Sequence, residues 1–539
     1  MLHPPRRSVL HTATFGLLLA ALIALWQWQS GCYDADLASD PDEPAHAVSS
    51  LLVRDYVAQG LPEAPLPFAE SYYVHYPKIA IGHWPPFFYT CEAAWMLVFG
   101  RSKPVMLLLV AAIAIALLLC VFGWVRRRCG AIAGLFSAAL LVLPAFMRAD
   151  MDSVKPDILL GLLAFLAAAA YGSYLEFGGR KYAAAFWGLA ILSLLTHGRG
   201  AEVWLLPVAV AIIGWRLRPG LVSTVISAAM LVTSVILPYR LSQAAPLSLE
   251  SAARNLWTFP WRLFTSMGWP VAALAAIGAA SIIHERQNRS AWTAMIGLAG
   301  GCWLFFILVN VPLEARYLIV AAPGVAALFG AGIVFVNNFV AARWHFQRAG
   351  AVLGVLALCL AAPSMGLGER KPDQGFHRIV NREGAAGIST TIYLIAGDSE
   401  NEGAFIADMD LADTRQQHVV LRASKMLADV SWMGLNYKVV FDDSKAVAVW
   451  LDEAHVGAVI VQNSDNRPHI AQLREALENS GSTWVLADSA GVPPDISVYR
   501  RAGPMPPGPP KVRVDMRRIT GRFFYLRNAA SAAPAATSH

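Results

Sequence analysis

Charge is what this chain has least of. Only 15% of its 539 residues are Asp, Glu, Lys or Arg, while 56% are hydrophobic. A soluble chain carries roughly 25% charged residues. The shortage argues against a simple soluble globule and fits repeated apolar runs of about 18 or more residues, the length that crosses a bilayer. Cysteine is also scarce, with six residues and no C-x-x-C pair, so zinc and thiol-redox motifs are unsupported. A basic stripe is missing as well. The formal charge of +6 comes largely from short Arg and Lys clusters between apolar runs, which is how orientation charges look, and nucleic acid is not expected as a partner. Gly397 to Gly403 follows an apolar run, but it is no G-x-G-x-x-G and its acids would repel a pyrophosphate, which argues against a dinucleotide site.

What is present is a polytopic α-helical membrane protein. Apolar runs near 10–29, 104–124, 131–147, 157–175, 183–197, 201–215, 220–238, 267–284, 291–311, 317–339 and 349–366 predict about 11 transmembrane helices. The first follows Arg6-Arg7 and reads as an uncleaved span rather than a signal peptide. With the N-terminus in the cytoplasm, the inner connections hold Arg126-Arg127-Arg128, Arg180-Lys181, Arg216 with Arg218, Arg286 with Arg289, and Arg343 with Arg348. The outer ones hold Asp40, Asp42, Glu43, Asp150, Asp152 and Glu314. This asymmetry puts the C-terminal region outside.

Residues 1–366 thus form a transmembrane domain whose first outer loop is 31–103. Cys32 and Cys91 flank that loop and can pair if it faces an oxidising compartment. From 367 to 503 charge becomes frequent and apolar runs shorten. Strands are predicted at Thr391–Ile395, His418–Leu421, Tyr437–Phe441, Gly457–Val461, Thr483–Leu486 and Ile496–Tyr499, with helical patterns between several of them. That alternation implies a soluble α/β domain with a largely parallel sheet. Residues 504–539 hold a Pro/Gly linker, a basic aromatic segment and an Ala/Ser-rich tail expected to be disordered.

The densest acidic cluster of the first half is Asp40-Pro41-Asp42-Glu43-Pro44-Ala45-His46. Part of it is explained by helix capping: Asp40 as N-cap, Pro41 as first helical residue, Glu43 as the returning partner of a capping box. The stretch after it, Ala47 to Val57, has the pattern of an amphipathic helix on the membrane surface. Capping does not call for Asp42 and His46, which share a helix face at i and i+4 and can act as a base or half a metal site. Further on lie Lys78 and His83-Trp84-Pro85-Pro86-Phe87-Phe88-Tyr89, then Arg148-Ala149-Asp150-Met151-Asp152-Ser153-Val154-Lys155-Pro156-Asp157. Asp150 and Asp152 form a D-x-D that can hold a divalent cation, and Arg148 and Lys155 can neutralise a phosphate. His197, Arg199, Glu202, Glu314 and Arg316 gather at the outer ends of spans, where charged groups usually face a cavity or a partner.

These motifs, in this order and on one side, resemble the GT-C superfamily of polyprenyl-phosphate-sugar-dependent glycosyltransferases, with protein O-mannosyltransferases and lipid A aminoarabinose transferases as the nearest relatives. The resemblance covers about residues 10–340 and is completed by Thr196-His197-Gly198-Arg199-Gly200 with Pro207, and by Arg316-Tyr317-Leu318 with Pro323. The chain departs from the family where a Lys-Gly-Pro-like turn is usual and where His46 replaces an aromatic. The resemblance implies a GT-C-like fold and a bacterial inner-membrane enzyme with its soluble domain in the periplasm. It implies a sugar moved from a polyprenyl-phosphate donor to a protein, lipid or glycan acceptor, with inversion. The catalytic residues would be Asp42, as general base, and Glu43. Substrate contacts would come from His46, Lys78, His83, Arg148, Lys155, His197, Arg199 and Arg316, with Mg or Mn on Asp150 and Asp152. A transporter or lipid flippase, or a non-catalytic scaffold, are the competing readings. A transporter would carry its ionisable residues near the bilayer middle, and here they gather at the span ends.

Overall fold

The computed structural model describes residues 6–79, 82–213, 249–284, 289–309, 313–344, 348–362, 370–385, 392–430, 436–487 and 495–526. The helices of the first part are α1 Arg6–Ser30, α2 Glu43–Ala58, α3 Pro65–His75, α4 Phe87–Phe99, α5 Lys103–Cys129, α6 Ala131–Val142, α7 Ala145–Met151, α8 Asp157–Phe177, α9 Arg180–Thr196, α10 Ala201–Trp204 and α11 Leu206–Ile213. They continue with α12 Leu249–Met267, α13 Trp269–His284, α14 Arg289–Leu308, α15 Ala322–Trp344 and α16 Ala349–Ala361.

Among the described residues, four helices are long and apolar enough to cross a membrane, namely α5, α8, most of α14, and α15. Two bent pairs raise the number to six: α6 with α7 at 74°, and α12 with α13 at 116°. Shorter apolar helices lie at Thr14–Ser30, in α4 and in α16. The expectation of about 11 full spans is therefore not met among these residues. The physical reason is breakage. Pro144 separates α6 from α7 and cannot continue a hydrogen-bonded ladder, while Gly268 takes a φ of +83° between α12 and α13. The run at 201–215 splits into the short α10 and α11, and the expected span at 220–238 lies outside the described residues.

Close packing of the bundle rests on small residues. A Cβ on Gly278 of α13 would lie 2.1 Å from the Leu328 carbonyl oxygen, and one on Gly332 of α15 would lie 2.0 Å from that of Leu274. The two backbones touch there, which only glycine permits.

The C-terminal part adds α17 Phe376–Ala385, β1 Ile392–Ala396, α18 Ser399–Ala412, β2 Val419–Arg422, β3 Ala428–Asp429, β4 Lys438–Val439, α19 Ser444–Glu453, β5 Ala458–Gln462, α20 Pro468–Glu478, β6 Trp484–Leu486, β7 Ile496–Arg501, β8 Val512–Met516 and β9 Arg522–Leu526. The main sheet has the order β2-β1-β5-β7-β6. β1 pairs in parallel with β2 and β5, whereas β7 pairs antiparallel with both β5 and β6. The sheet is thus mixed rather than largely parallel. The Tyr437–Phe441 run shrinks to β4, paired with β3, and the basic aromatic segment folds into the hairpin β8–β9.

Strand periodicity splits this sheet into two faces. Ile392 and Leu394 share a core with α19 and α20 through Val447, Leu451, Ile470 and Leu473. Tyr393 and Ile395 face the other way and share a core with the first loop, through Leu37, Val48, Leu51, Tyr72, Tyr76 and Phe88. The soluble domain is therefore packed onto the first loop. Arg101 bonds the carbonyl and Oδ1 of Asp410, each at 2.7 Å. Tyr72 donates to Asp410 Oδ1 and Tyr76 to Asp413 Oδ2, also at 2.7 Å. This burial corrects one expectation: α2 does not lie on a membrane surface. Glu43 through Leu51 are buried, because α4 and α18 cover them. Cys32 and Cys91 are both free thiols, so the pairing that the sequence left open is not formed.

Candidate active site

The first loop enters α2 through a side-chain cap. Asp40 Oδ1 accepts the N–H groups of Asp42 and Glu43 at 3.0 Å, satisfying two of the donors that a helix start leaves open. Glu43 reaches back, its Oε2 accepting the Ser39 N–H at 2.8 Å. α2 begins at Glu43 with Asp42 as its N-cap and Pro44 in the first turn, so the expected start, Asp40 as N-cap and Pro41 as first helical residue, is moved on and Asp40 holds the turn before the helix. With Asp40 committed at Oδ1, its Oδ2 and the Asp42 carboxylate remain for cations.

Arg316, in a 3₁₀ turn (Ala315–Ile319), places Nη1 3.1 Å from Asp40 Oδ2 and 3.1 Å from Asp42 Oδ2. Its Nε donates to Glu314 Oε2 at 2.7 Å. Lys155 approaches from the loop before α8, with Nζ 2.6 Å from Asp40 Oδ2. Asp40 thus shares two cations and Asp42 one. Burial pushes Asp40 up, but Lys155 and Arg316 outweigh it and hold it below its usual range. Burial and the adjacent Asp40 charge push Asp42 above its usual range, with Arg316 pulling only part of the way back.

Behind this group Arg199 pairs with Asp157 at the start of α8 and lies 4.4 Å over the Tyr317 ring. Its Nε and Nη1 have no hydrogen-bond partner. The turn that carries it folds back on α9, since a Cβ on Gly200 would stand 2.2 Å from the Ser193 backbone. His197 Nδ1 accepts the Arg199 N–H at 3.0 Å. His46 is buried, stacked 4.1 Å from Trp84, with Nδ1 2.8 Å from the Tyr89 hydroxyl. Burial pulls its pKa to about 3, so it is neutral at working pH. His83 lies beside Trp84, with ring centroids 5.3 Å apart.

The structure brings Asp42, Lys155 and Arg316 together through Asp40. It sends other expected residues elsewhere. Arg148 lies 4.3 Å over the Trp26 ring. Glu43 is fully buried, its Oε1 taken by the Val154 N–H (3.1 Å) and by Lys371. Burial pushes Glu43 up, but Lys371 and Lys155 outweigh that, and it sits below its usual range. Lys78 is buried and donates to the Ser399 carbonyl at 2.9 Å. A Cβ on Gly403 of α18 would lie 2.7 Å from Lys78 Cε and from Pro44 Cγ, so α18 seals this side. Burial, aided by Arg422, pulls Lys78 to about 7 against the acids nearby.

Asp150 and Asp152 diverge. Asp150 lies among Asp157, Lys155 and Asp40, whereas Asp152 lies among Lys371, Ser30 and Glu43. Residues two apart at a helix end point away from each other. The described group with three ligand atoms close enough for one ion is Asp36, Asp373 and His377, all within 4.8 Å. An imidazole there suits zinc better than magnesium. Asp36 already accepts the Gln374 N–H (2.7 Å) and the His377 N–H (3.3 Å), so it caps α17 without an ion.

Sequence reasoning missed Asp157 as the partner of Arg199, Tyr317 as the ring between two guanidiniums, and Lys371. Asp157 stood inside the quoted motif and Tyr317 beside Arg316. Lys371 gave no signal, being 328 residues from Glu43.

No protein-family model and no curated protein matches the sequence. Solved structures do. ArnT from Cupriavidus metallidurans in the apo state matches with a TM-score of 0.55 at 15% identity, over 90% of this chain and 98% of that one. The same protein bound to undecaprenyl phosphate matches with a TM-score of 0.51, at the same identity and coverage. The Archaeoglobus fulgidus oligosaccharyltransferase matches at 0.47 and 13% identity, over 83% of this chain and 68% of that one. The chain shares the ArnT fold, a largely helical part with several apolar helices followed by a sheet-containing region.

Proposed function

We propose that this chain is a membrane glycosyltransferase that moves a sugar from a polyprenyl-phosphate donor to an acceptor on the extracytoplasmic side, with inversion. The observation that carries the reading is the Asp42 carboxylate held 3.1 Å from Arg316, beside Asp40 and Lys155, in a GT-C fold. A base whose pKa is raised toward working pH is the better proton acceptor. One of the matching structures holds undecaprenyl phosphate, which makes that lipid the natural first donor carrier to try.

In this reading Asp42 takes the acceptor hydroxyl proton as that oxygen attacks the anomeric carbon. The bond from that carbon to the phosphate oxygen breaks on the opposite face. Charge grows on the leaving phosphate and needs fixed donors. Arg199 is a candidate, because its buried Nε and Nη1 make no hydrogen bond, Nη1 lying 4.0 Å from Glu202 Oε1, and Tyr317 fixes its plane. Arg316 and Lys155 keep the Asp40–Asp42 pair oriented. Trp84, half-buried and backed by the neutral, buried ring of His46, offers a flat aromatic wall suited to a sugar face. Any divalent cation would be an addition to these groups, and no step above requires one. Hexose and pentose donors, and protein, lipid and glycan acceptors, all remain to be assayed.

The test is transfer from a labelled polyprenyl-phosphate sugar by the full chain in nanodiscs, wild type against Asp42→Asn. Loss of turnover with donor binding retained supports the assignment. Equal turnover sinks Asp42 as the base. No donor-lipid binding by wild type sinks the transferase reading.

A further inference from the structure

Lys371 lies between α16 and α17, on the segment that leads into the soluble domain. It is buried to 8% exposure and its bonds reach three separate segments. Its N–H donates to the Ser30 carbonyl at the end of α1, at 2.8 Å. Its Nζ donates to the Glu43 carboxylate and, at 3.2 Å, to the Asp152 carbonyl. Glu43 in turn accepts the N–H groups of Ser39 and Val154, and the Ser153 hydroxyl donates to the Ser39 hydroxyl at 3.0 Å. Glu43 immediately follows Asp42, and Asp152–Val154 immediately precedes Lys155. The two loops that supply the Asp42–Asp40–Lys155 group are therefore tied through one carboxylate, and the cation opposing that carboxylate comes from the soluble-domain linker.

We infer that Lys371 is a positioning residue, the latch by which the linker to the α/β domain sets the geometry of the two catalytic loops. The inference rests on the reading of Asp42 as the catalytic base. The Lys371 side chain is 2% exposed, so it acts through Glu43 rather than on substrate. Without it, a fully buried carboxylate loses the nearer of its two counter-charges, with only Lys155 left, and the loops separate until water reaches Glu43.

The experiment uses the full chain in nanodiscs, with Lys371→Met, Glu43→Gln and the double variant. Hydrogen–deuterium exchange is followed in peptides spanning Ser39 and Val154. Exchange in both is expected to rise on the order of tenfold in Lys371→Met, as local opening is eased. Turnover is expected to fall in kcat with donor KM little changed. The double variant is expected to be no worse than the worse single one, because the two residues act as a unit. Unchanged exchange, losses that add, or a change confined to KM would each overturn the latch. Should Lys371→Met fail to fold, Lys371→Gln, which keeps a donor and removes the charge, is read in the same way. The exchange arm needs no substrate. A wild type that turns over no donor therefore sinks the transferase reading while the latch is still decided.

Discussion

Asp40 and Asp42 stand two residues apart and share Arg316, yet the structure gives them opposite duties. Replacing each by Asn separates the two. Asp40 neutralises Lys155, whose side chain is 5% exposed, and its other oxygen caps α2. Removing one partner of a buried pair costs about 3–5 kcal/mol. The lower end applies here, because the Asp40 side chain keeps 23% exposure. Asp42 meets only Arg316, and both side chains are about one-quarter exposed, at 26% and 24%. Such a pair contributes roughly 0–1 kcal/mol. Asp42→Asn is therefore expected to unfold close to the wild-type temperature while losing about 10²–10⁴-fold in rate, the usual cost of a missing general base. Asp40→Asn is expected to be plainly less stable. Its effect on the pH profile has a definite sign. The base works only when deprotonated, so activity falls as pH drops through its pKa. The Asp40 charge raises that pKa, and removing it moves the acid limb of kcat/KM to lower pH. Thermal unfolding and pH–rate profiles of both variants in nanodiscs check this. If Asp42→Asn lost as much stability as Asp40→Asn, or the acid limb moved up in Asp40→Asn, the division of labour would be refuted.

Other consequences follow from single contacts. With a pKa of about 7, Lys78 is mostly charged at pH 6 and mostly neutral at pH 8, a change of about tenfold in the charged fraction. Sealed by α18, Lys78 acts on the site only through its charge, so affinity for undecaprenyl phosphate should weaken across that range, and Lys78→Arg should flatten the dependence. Arg101→Ala strips the counter-charge from the fully buried Asp410 and should cost about 3–5 kcal/mol, read as lower unfolding temperature and faster proteolysis between the membrane part and the α/β domain. Gly278→Val places methyls against the Leu328 carbonyl and should destabilise the bundle by about 1–3 kcal/mol or more, whereas Gly188→Ala, inside α9 with nothing within 4 Å, should not lower stability and should raise it by up to about 1 kcal/mol in the same thermal assay.

What the sequence showed and what it hid divide by range. Asp40 holding the turn before α2, Glu43 reaching back and the apolar α5, α8 and α15 are local patterns, legible because their partners lie within one or two turns. The order of motifs located Asp42, Lys155, Arg199 and Arg316 at one end of the bundle, because charged groups collect where spans end. Periodicity could not show where a span breaks. A run such as Ala131 to Met147 looks continuous until Pro144 is weighed as a 74° bend. Nor could it show that α2 is covered on both sides. Its pattern fits a lipid surface and a protein surface equally, and the choice is made by α18, more than 300 residues later. The same limit explains Glu43. Read alone it is a second catalytic carboxylate beside Asp42. Only the fold reveals that Ser39, Val154 and Lys371 take both of its oxygens, which leaves Asp42 as the carboxylate of the pair with room to accept a proton. Two adjacent acids thus part into a buried strut and, in the reading proposed above, a base, and the parting is decided by a lysine that no spacing rule connects to either.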